Sequence, residues 1–394
     1  MSSAQTFLFF LLVLGALAAV LRLFSRQAPY LPYQVVLAAA GILLGLVPGL
    51  PLPKIGPDLI LLAFVPGLVF EAALTLDLEE LRRRVLPVGL LATAGVFLGV
   101  LLMAVPLKLW LGFGWPAAFI LGAIVAATDP IAVVSLLRRL RAPGGLAAIL
   151  EGESLFNDGT GVAVFAAVLG TVAAGSPSPG DAGGRFLLLT LGGTAVGIVT
   201  GTLCVLLLRR AREAELEILV TLVAAYGSYL AADLLHFSGI VGVVAAGIVV
   251  ARYGRREGRL QGTQLLGFWS LLAFVLNAVL FVLVGAALPT ASLLRLLPLV
   301  LGAYLVMVVA RAIPVYGLLA ISDPRARTIP WAWRHVTFWG GLRGALSVAL
   351  ALAVAETPGI DPRVSTVAYG VVVLSLLVQG GLFVPLARRL GISG

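Results

Sequence analysis

Apolar stretches close to bilayer-spanning length recur thirteen times along the 394 residues, at roughly 6–24, 32–50, 58–76, 86–107, 115–137, 146–173, 186–208, 216–235, 238–252, 264–288, 294–320, 333–354 and 364–386. A hydrocarbon core near 30 Å takes about 20 helical residues to cross. Runs of this kind, joined by short polar connections, predict an all-α polytopic membrane protein built as one membrane unit. Residues 175–184, rich in Gly, Ser and Pro, read as the single flexible loop.

The polar connections alternate in charge. Those after odd-numbered spans, together with the tail, hold 20 basic residues, and those after even-numbered spans hold 5. Basic loops stay on the cytoplasmic side, so the amino terminus is expected outside and the carboxyl terminus in the cytoplasm. Two further arginines, Arg311 and Arg343, fall inside spans. A short internal repetition, Glu71-Ala72-Ala73-Leu74 against Gly285-Ala286-Ala287-Leu288, is offset by seven spans. That odd number would invert one half relative to the other, an architecture of secondary transporters.

Composition agrees. The chain is 60% hydrophobic and 11% charged, against about a quarter charged in ordinary globular domains. A net charge of +9 could point to nucleic acid, but the arginines lie in short clusters between spans, as expected at an anionic membrane surface. Nucleic acid is therefore not an expected partner. One cysteine, Cys204, excludes an intramolecular disulfide. No cleavable leader is expected, because Arg22 and Arg26 follow the first apolar run rather than precede it. The chain has two histidines, and no P-loop, metal-ligand cluster or nucleophile–histidine pairing is evident. An enzyme and a bound cofactor are not expected.

Against this background the sixth span is anomalous. Glu151, Glu153, Ser154, Asn157 and Asp158 sit in an otherwise apolar segment, and ionisable groups inside a membrane mark function. Glu153 with Asn157, and Ser154 with Asp158, are i, i+4 neighbours on one helical face. At about 1.5 Å per residue, Asp158, Thr128-Asp129-Pro130, Glu71 and Arg343 all arrive near mid-depth. Proline beside a polar pair suggests an interrupted helix whose freed carbonyls hold cations, and Asp129 would then offset the exposed helix termini. Arg343 needs a buried acid, and Glu153 is the best placed partner, forming a structural clamp. Arg311 is expected to have a similar structural duty. His236 reads as a loop histidine near an outer end, and Asn277, near mid-depth in span ten, could line a pathway but reads first as a helix-packing residue.

At Ala127-Thr128-Asp129-Pro130, Glu153-Ser154-Leu155-Phe156-Asn157-Asp158-Gly159 and Gly340-Gly341-Leu342-Arg343-Gly344-Ala345 the chain resembles prokaryotic sodium/proton antiporters of the monovalent cation:proton antiporter-1 (NhaP) group. The resemblance implies thirteen helices in two inverted repeats, with spans 5 and 12 broken and crossing. It implies a core bundle at about 86–173 and 294–386, dimer-domain helices at about 6–76 and 216–288, and a linker helix at about 186–208. Asp158 would carry Na⁺ and H⁺ alternately. Glu71, the Ser154 hydroxyl and the Thr128 carbonyl would complete the ion shell, with Asn157 holding its geometry, and Glu153–Arg343 would brace it. An Asn-Asp pair marks the family's electroneutral branch, so one Na⁺ or Li⁺ would exchange for one H⁺ by alternating access in a homodimer. The transported ions are substrates rather than cofactors. A K⁺/H⁺ antiporter is the nearest alternative, and a gated cation channel a more distant one.

Overall fold

The computed structural model describes residues 13–23, 33–47, 56–129, 131–173, 179–211, 213–256, 263–288, 290–323, 325–355 and 357–392. Arg26, Lys54, Pro130, Arg212, Arg259 and both chain ends, which enter the topology argument, lie outside these residues. The described chain is helical throughout. Among the described residues eight helices are long and apolar enough to cross a membrane unaided: α3 (Pro57–Thr75), α5 (Val85–Leu109), α8 (Gly144–Ala173), α9 (Pro179–Leu208), α10 (Ala214–Leu234), α12 (Thr263–Ala286), α14 (Leu297–Ser322) and α17 (Arg363–Arg389). Helices α1 (Val13–Leu23) and α2 (Tyr33–Gly45) are shorter, and α11 spans Gly239–Arg256. The two remaining passages are split, α6 (Trp115–Ala126) from α7 (Ile131–Arg139) and α15 (Trp331–Trp339) from α16 (Ala345–Ala355). A short amphipathic helix, α4 (Leu78–Arg83), and α13 (Thr290–Arg295) lie in connections.

The thirteen passages match the spacing of the apolar runs, with one local correction. The segment 175–184 is not one loop: α9 begins at Pro179, so its Gly180, Gly183 and Gly184 are helical, and residues 174–178 lie outside the description. Glycine lowers helix propensity, but the apolar run after Phe186 carries the helix back through them.

Packing sorts the helices. Helices α5, α6, α8, α14, α15, α16 and α17 contact one another around the two breaks, while α2 packs on α12 and α11 is surrounded by α3, α9 and α10. Two of these seams run on glycine. A Cβ on Gly193 would lie 2.5 Å from the Ser238 carbonyl, and one on Gly197 would overlap the Gly242 carbonyl. With Gly201 they form an i, i+4, i+8 stripe that lets the α9 and α11 backbones touch, the usual close-approach device of helices in lipid. Gly41, Gly45 and Gly285 do the same between α2 and α12.

Among the described residues three helices contain a wide, π-helical turn, at Ile60–Phe64 in α3, Leu91–Gly95 in α5 and Ser375–Gly380 in α17. Such turns release a carbonyl from the regular ladder, and each released group is captured by a neighbouring helix. The Ala63 carbonyl accepts from the Tyr226 hydroxyl (3.0 Å), the Ala92 carbonyl from the Thr160 hydroxyl (2.6 Å) and the Gln379 carbonyl from the Trp339 indole (3.0 Å). Pro66, which has no N–H, follows the first of them.

Candidate functional site

The site is built where the two broken passages cross. Helix α6 ends at Ala126, and Ala127 turns extended (φ −61°, ψ 135°). The Asp129 N–H donates to the Leu342 carbonyl at 2.8 Å, joining the two unwound segments through their main chains. A Cβ on Gly344 would overlap the Asp129 side chain, so the carboxylate lies against the start of α16, where a helix terminus favours negative charge. On the other side, the Arg343 N–H donates to the Ser375 hydroxyl (3.0 Å), which donates to the Gln379 side chain (2.7 Å). The wide turn of α17 thus supplies a support to the break.

Helix α8 runs past this crossing and ties itself to the unwound strand. The Thr128 N–H donates to Asn157 Oδ1 (3.2 Å), Asn157 Nδ2 donates to Thr128 Oγ1 (2.7 Å), and that hydroxyl shares a hydrogen bond with Ser154 (2.9 Å). All three residues are buried. Asn157 therefore uses its donor and its acceptor on one residue, replacing a helical hydrogen bond that the break in α6 removes. Asp158, the next residue, is directed elsewhere. It lines a cavity of about 60 Å³ with Thr128, Asp129, Ser347 and Asn277. That is room for about four waters, or a partly hydrated small cation, at roughly 10–15 Å³ each.

Several expected roles change. Glu153 does not pair with Arg343: its carboxylate accepts two hydrogen bonds from Arg311, at 2.9 and 3.2 Å. The same guanidinium donates to the Thr337 and Phe338 carbonyls, which are orphan acceptors at the end of α15. Arg311 wins because Gly341 has no side chain. A Cβ there would overlap the guanidinium, so the Gly-Gly pair opens the break to the arginine of α14. Arg343 is also buried, and its Nε and Nη1 have no hydrogen-bond partner among the described residues. It lines a smaller cavity of about 30 Å³ with Glu153, Asn157 and Arg311.

Glu71 is not among the residues lining the Asp158 cavity; its helix contributes Val65, Leu68, Val69 and Ala72. Its charged neighbours are Arg138 and Glu151, themselves ion-paired at 3.0 Å. These acids lie toward the arginine-rich face, four residues before the end of α3 and seven into α8. Asn277 gains importance: its Nδ2 donates to the Ala273 carbonyl (2.8 Å), while Oδ1, without a hydrogen-bond partner among the described residues, belongs to a residue lining the Asp158 cavity. Of its two sequence readings, the structure favours the pathway-lining one over helix packing alone. Arg334, counted with the loop arginines, is 2% exposed. It donates to the Asp323 and Ile329 carbonyls and stacks on Trp331. His236 occupies a turn with φ +59°.

The chain is similar to known proteins in sequence and in fold. Residues 10–389 match the family model described as sodium/hydrogen exchanger, transmembrane. The chain is 36% identical over 384 residues to the low-affinity Na⁺/H⁺ antiporter NhaS1 of Synechocystis, covering 94% of this chain and 72% of that protein. It is 36% identical over 344 residues to the Na⁺/H⁺ antiporter NhaP of Pseudomonas aeruginosa, covering 83% and 80%. The fold is similar to that of the sodium proton antiporter MjNhaP1 from Methanocaldococcus jannaschii at pH 8, with a TM-score of 0.82, 21% identity and 99% of each chain covered.

Proposed function

Because the chain belongs to the transmembrane sodium/hydrogen exchanger family, we propose that it exchanges one Na⁺ or Li⁺ for one proton at Asp158, without net charge movement. The observation that carries this reading is the division of labour at the crossing. Of the polar groups there, Asn157 is spent on Thr128, Glu153 on Arg311, and Asp129 lies against the start of α16. Asp158 lines the cavity together with Asp129, whose charge that helix start offsets. A carboxylate in a small cavity holds a cation or a proton but not both comfortably, so competition for one acid suffices for exchange. One exchanging acid gives a one-for-one stoichiometry.

Thr128, Ser347 and Asn277 line the same cavity and supply neutral oxygens suited to a hard alkali cation, while Ser154, which does not line it, holds the Thr128 hydroxyl. Glu71 and Glu151 are better read as an acidic mouth on the arginine-rich face than as ligands, drawing cations toward Asp158. In the alternating-access cycle the helices around the crossing move as a bundle against α3, α10, α11 and α12, which serve as the scaffold and dimer surface. The arginine-rich face is cytoplasmic in this reading, by the positive-inside asymmetry.

The test is proton flux in proteoliposomes on adding Na⁺, Li⁺ or K⁺, with the membrane potential free or clamped. Na⁺-driven flux insensitive to the clamp is expected, as is its loss in Asp158→Asn, which keeps size and hydrogen bonding but removes charge and titration. Flux near the wild-type rate in Asp158→Asn would dismiss the carrier role, and a potential-dependent rate would dismiss electroneutrality.

A further inference from the structure

A third, larger cavity of about 570 Å³ lies outside the ion site, between α5 and α8 on one side and α9 and α11 on the other. Its walls are almost wholly apolar, with Val85, Val88, Phe156, Ile198, Val244 and Ile248 among them. Of its hydroxyls, Thr93, Thr160 and Thr194 are already spent on main-chain carbonyls. Water needs two to four polar partners to be held, and this chamber offers few. It opens sideways, since Val85 and Ile198 on its rim are 64% and 48% exposed on helices that face the bilayer.

Its length fits one leaflet. Val241 to Val249 on α11, and Val85 to Thr93 on α5, each cover nine residues, about 12 Å of helix from first to last. Half of a hydrocarbon core is about 15 Å. The polar end lies at the arginine-rich face. On α11 the lining positions 241, 244, 245, 248 and 249 form one stripe, and Arg252 is the next residue along it. On the facing wall Leu81 lines the cavity and Arg82 follows it. Both arginines are exposed, whereas neighbouring Arg83 is paired with Glu79 and Glu80, and Arg84 with the Thr328 carbonyl.

We propose that this cavity is a lipid site: an anionic phospholipid of the adjoining leaflet lays one acyl chain along it and places its phosphate between Arg82 and Arg252. The charge of the mouth selects an anionic headgroup, and the apolar chamber demands a chain rather than free phosphate.

The experiment is native mass spectrometry of the full chain in detergent, titrated with dioleoyl-phosphatidylglycerol or dioleoyl-phosphatidylcholine. The wild type should retain phosphatidylglycerol with a preference of about tenfold or more, since two arginines contribute. Arg82→Gln with Arg252→Gln should erase that preference, while Ile198→Trp, which fills the chamber, should lower retention of both lipids. No preference in the wild type, or retention unchanged in both variants, overturns the proposal. The readout is independent of ion exchange. Asp158→Asn should bind phosphatidylglycerol like the wild type, so a failure of the transport reading and a failure of the lipid site give different results.

Discussion

At the scale of single residues, the crossing is held by a few side chains whose partners the structure specifies. Glu153 and Arg311 are both buried and bidentate, so removing one leaves an uncompensated charge. Arg311→Met is expected to cost about 3–5 kcal/mol of stability, with part recovered when Glu153→Gln is added. The double-mutant cycle with Arg343→Met should show weaker coupling to Glu153. Equal coupling of the two arginines, read from thermal unfolding in detergent, would mean that the acid is shared. The sequence showed that a buried acid needed a buried arginine, but depth alone could not choose between two arginines at similar depth. What decides is Gly341, whose missing side chain admits Arg311, and a glycine beside another glycine carries no such label. Asp158 and Asn157 were legible because polar residues in an apolar span announce themselves. Asn277 stood alone in its span, so its place on the Asp158 cavity depended on how α12 meets α3 and α16.

At the scale of elements, the breaks and wide turns act as connectors between helices. Gly344→Ala should force the Asp129 side chain or the start of α16 to move, costing about 1–3 kcal/mol and slowing exchange. Gly317→Ala, where nothing lies within 4 Å of the added Cβ, should leave both unchanged; equal effects would deny the close approach at the crossing. The connection between α14 and α15 offers a pH test outside the spans. Burial would push the Asp323 carboxyl up, but hydrogen bonds from the Ile329, Thr328 and Arg327 amides and the Thr328 hydroxyl outweigh it and hold the group below the usual carboxylate range. A lowered folded-state value contributes stability that is present above the ordinary carboxylate range and lost as pH falls through the folded value. The protection of the 325–329 amides, which is their exchange corrected for its intrinsic slowing in acid, should therefore fall on acidification in the wild type. In Asp323→Ala protection should already be low and nearly flat with pH; an unchanged acid response of protection in that variant would place the titration elsewhere. None of the wide turns could be read from apolar periodicity, because they depend on a tertiary partner for the released carbonyl.

At the scale of the whole molecule, the number of passages followed from the spacing of apolar runs, and the inversion of the two broken helices from an odd offset between repeats. What periodicity could not convey is which seams are fused and which can slide. The α9–α11 seam is backbone against glycine, with carbonyls that cannot yield, so α9 travels with α11. The α8–α11 contact is different in kind: an added Cβ on Gly159 meets one flexible Val241 methyl at 2.9 Å, beside the lipid-sized cavity. If exchange requires the crossing bundle to move against the scaffold, this contact must break and re-form in each cycle. The same geometry provides the lock. The Cβ positions of Gly159 and Val241 lie 3.8 Å apart, within the range that a disulfide spans without backbone movement. Cys204 is the only native cysteine, so Cys204→Ala gives a clean background for Gly159→Cys with Val241→Cys. Oxidation is expected to abolish Na⁺-driven proton flux in proteoliposomes, reduction to restore it, and Val241→Cys alone to be insensitive to both. Full exchange in the cross-linked protein, with the bridge verified by mass spectrometry, would rule out sliding at this contact and require the ion to reach Asp158 from both sides of a fixed bundle.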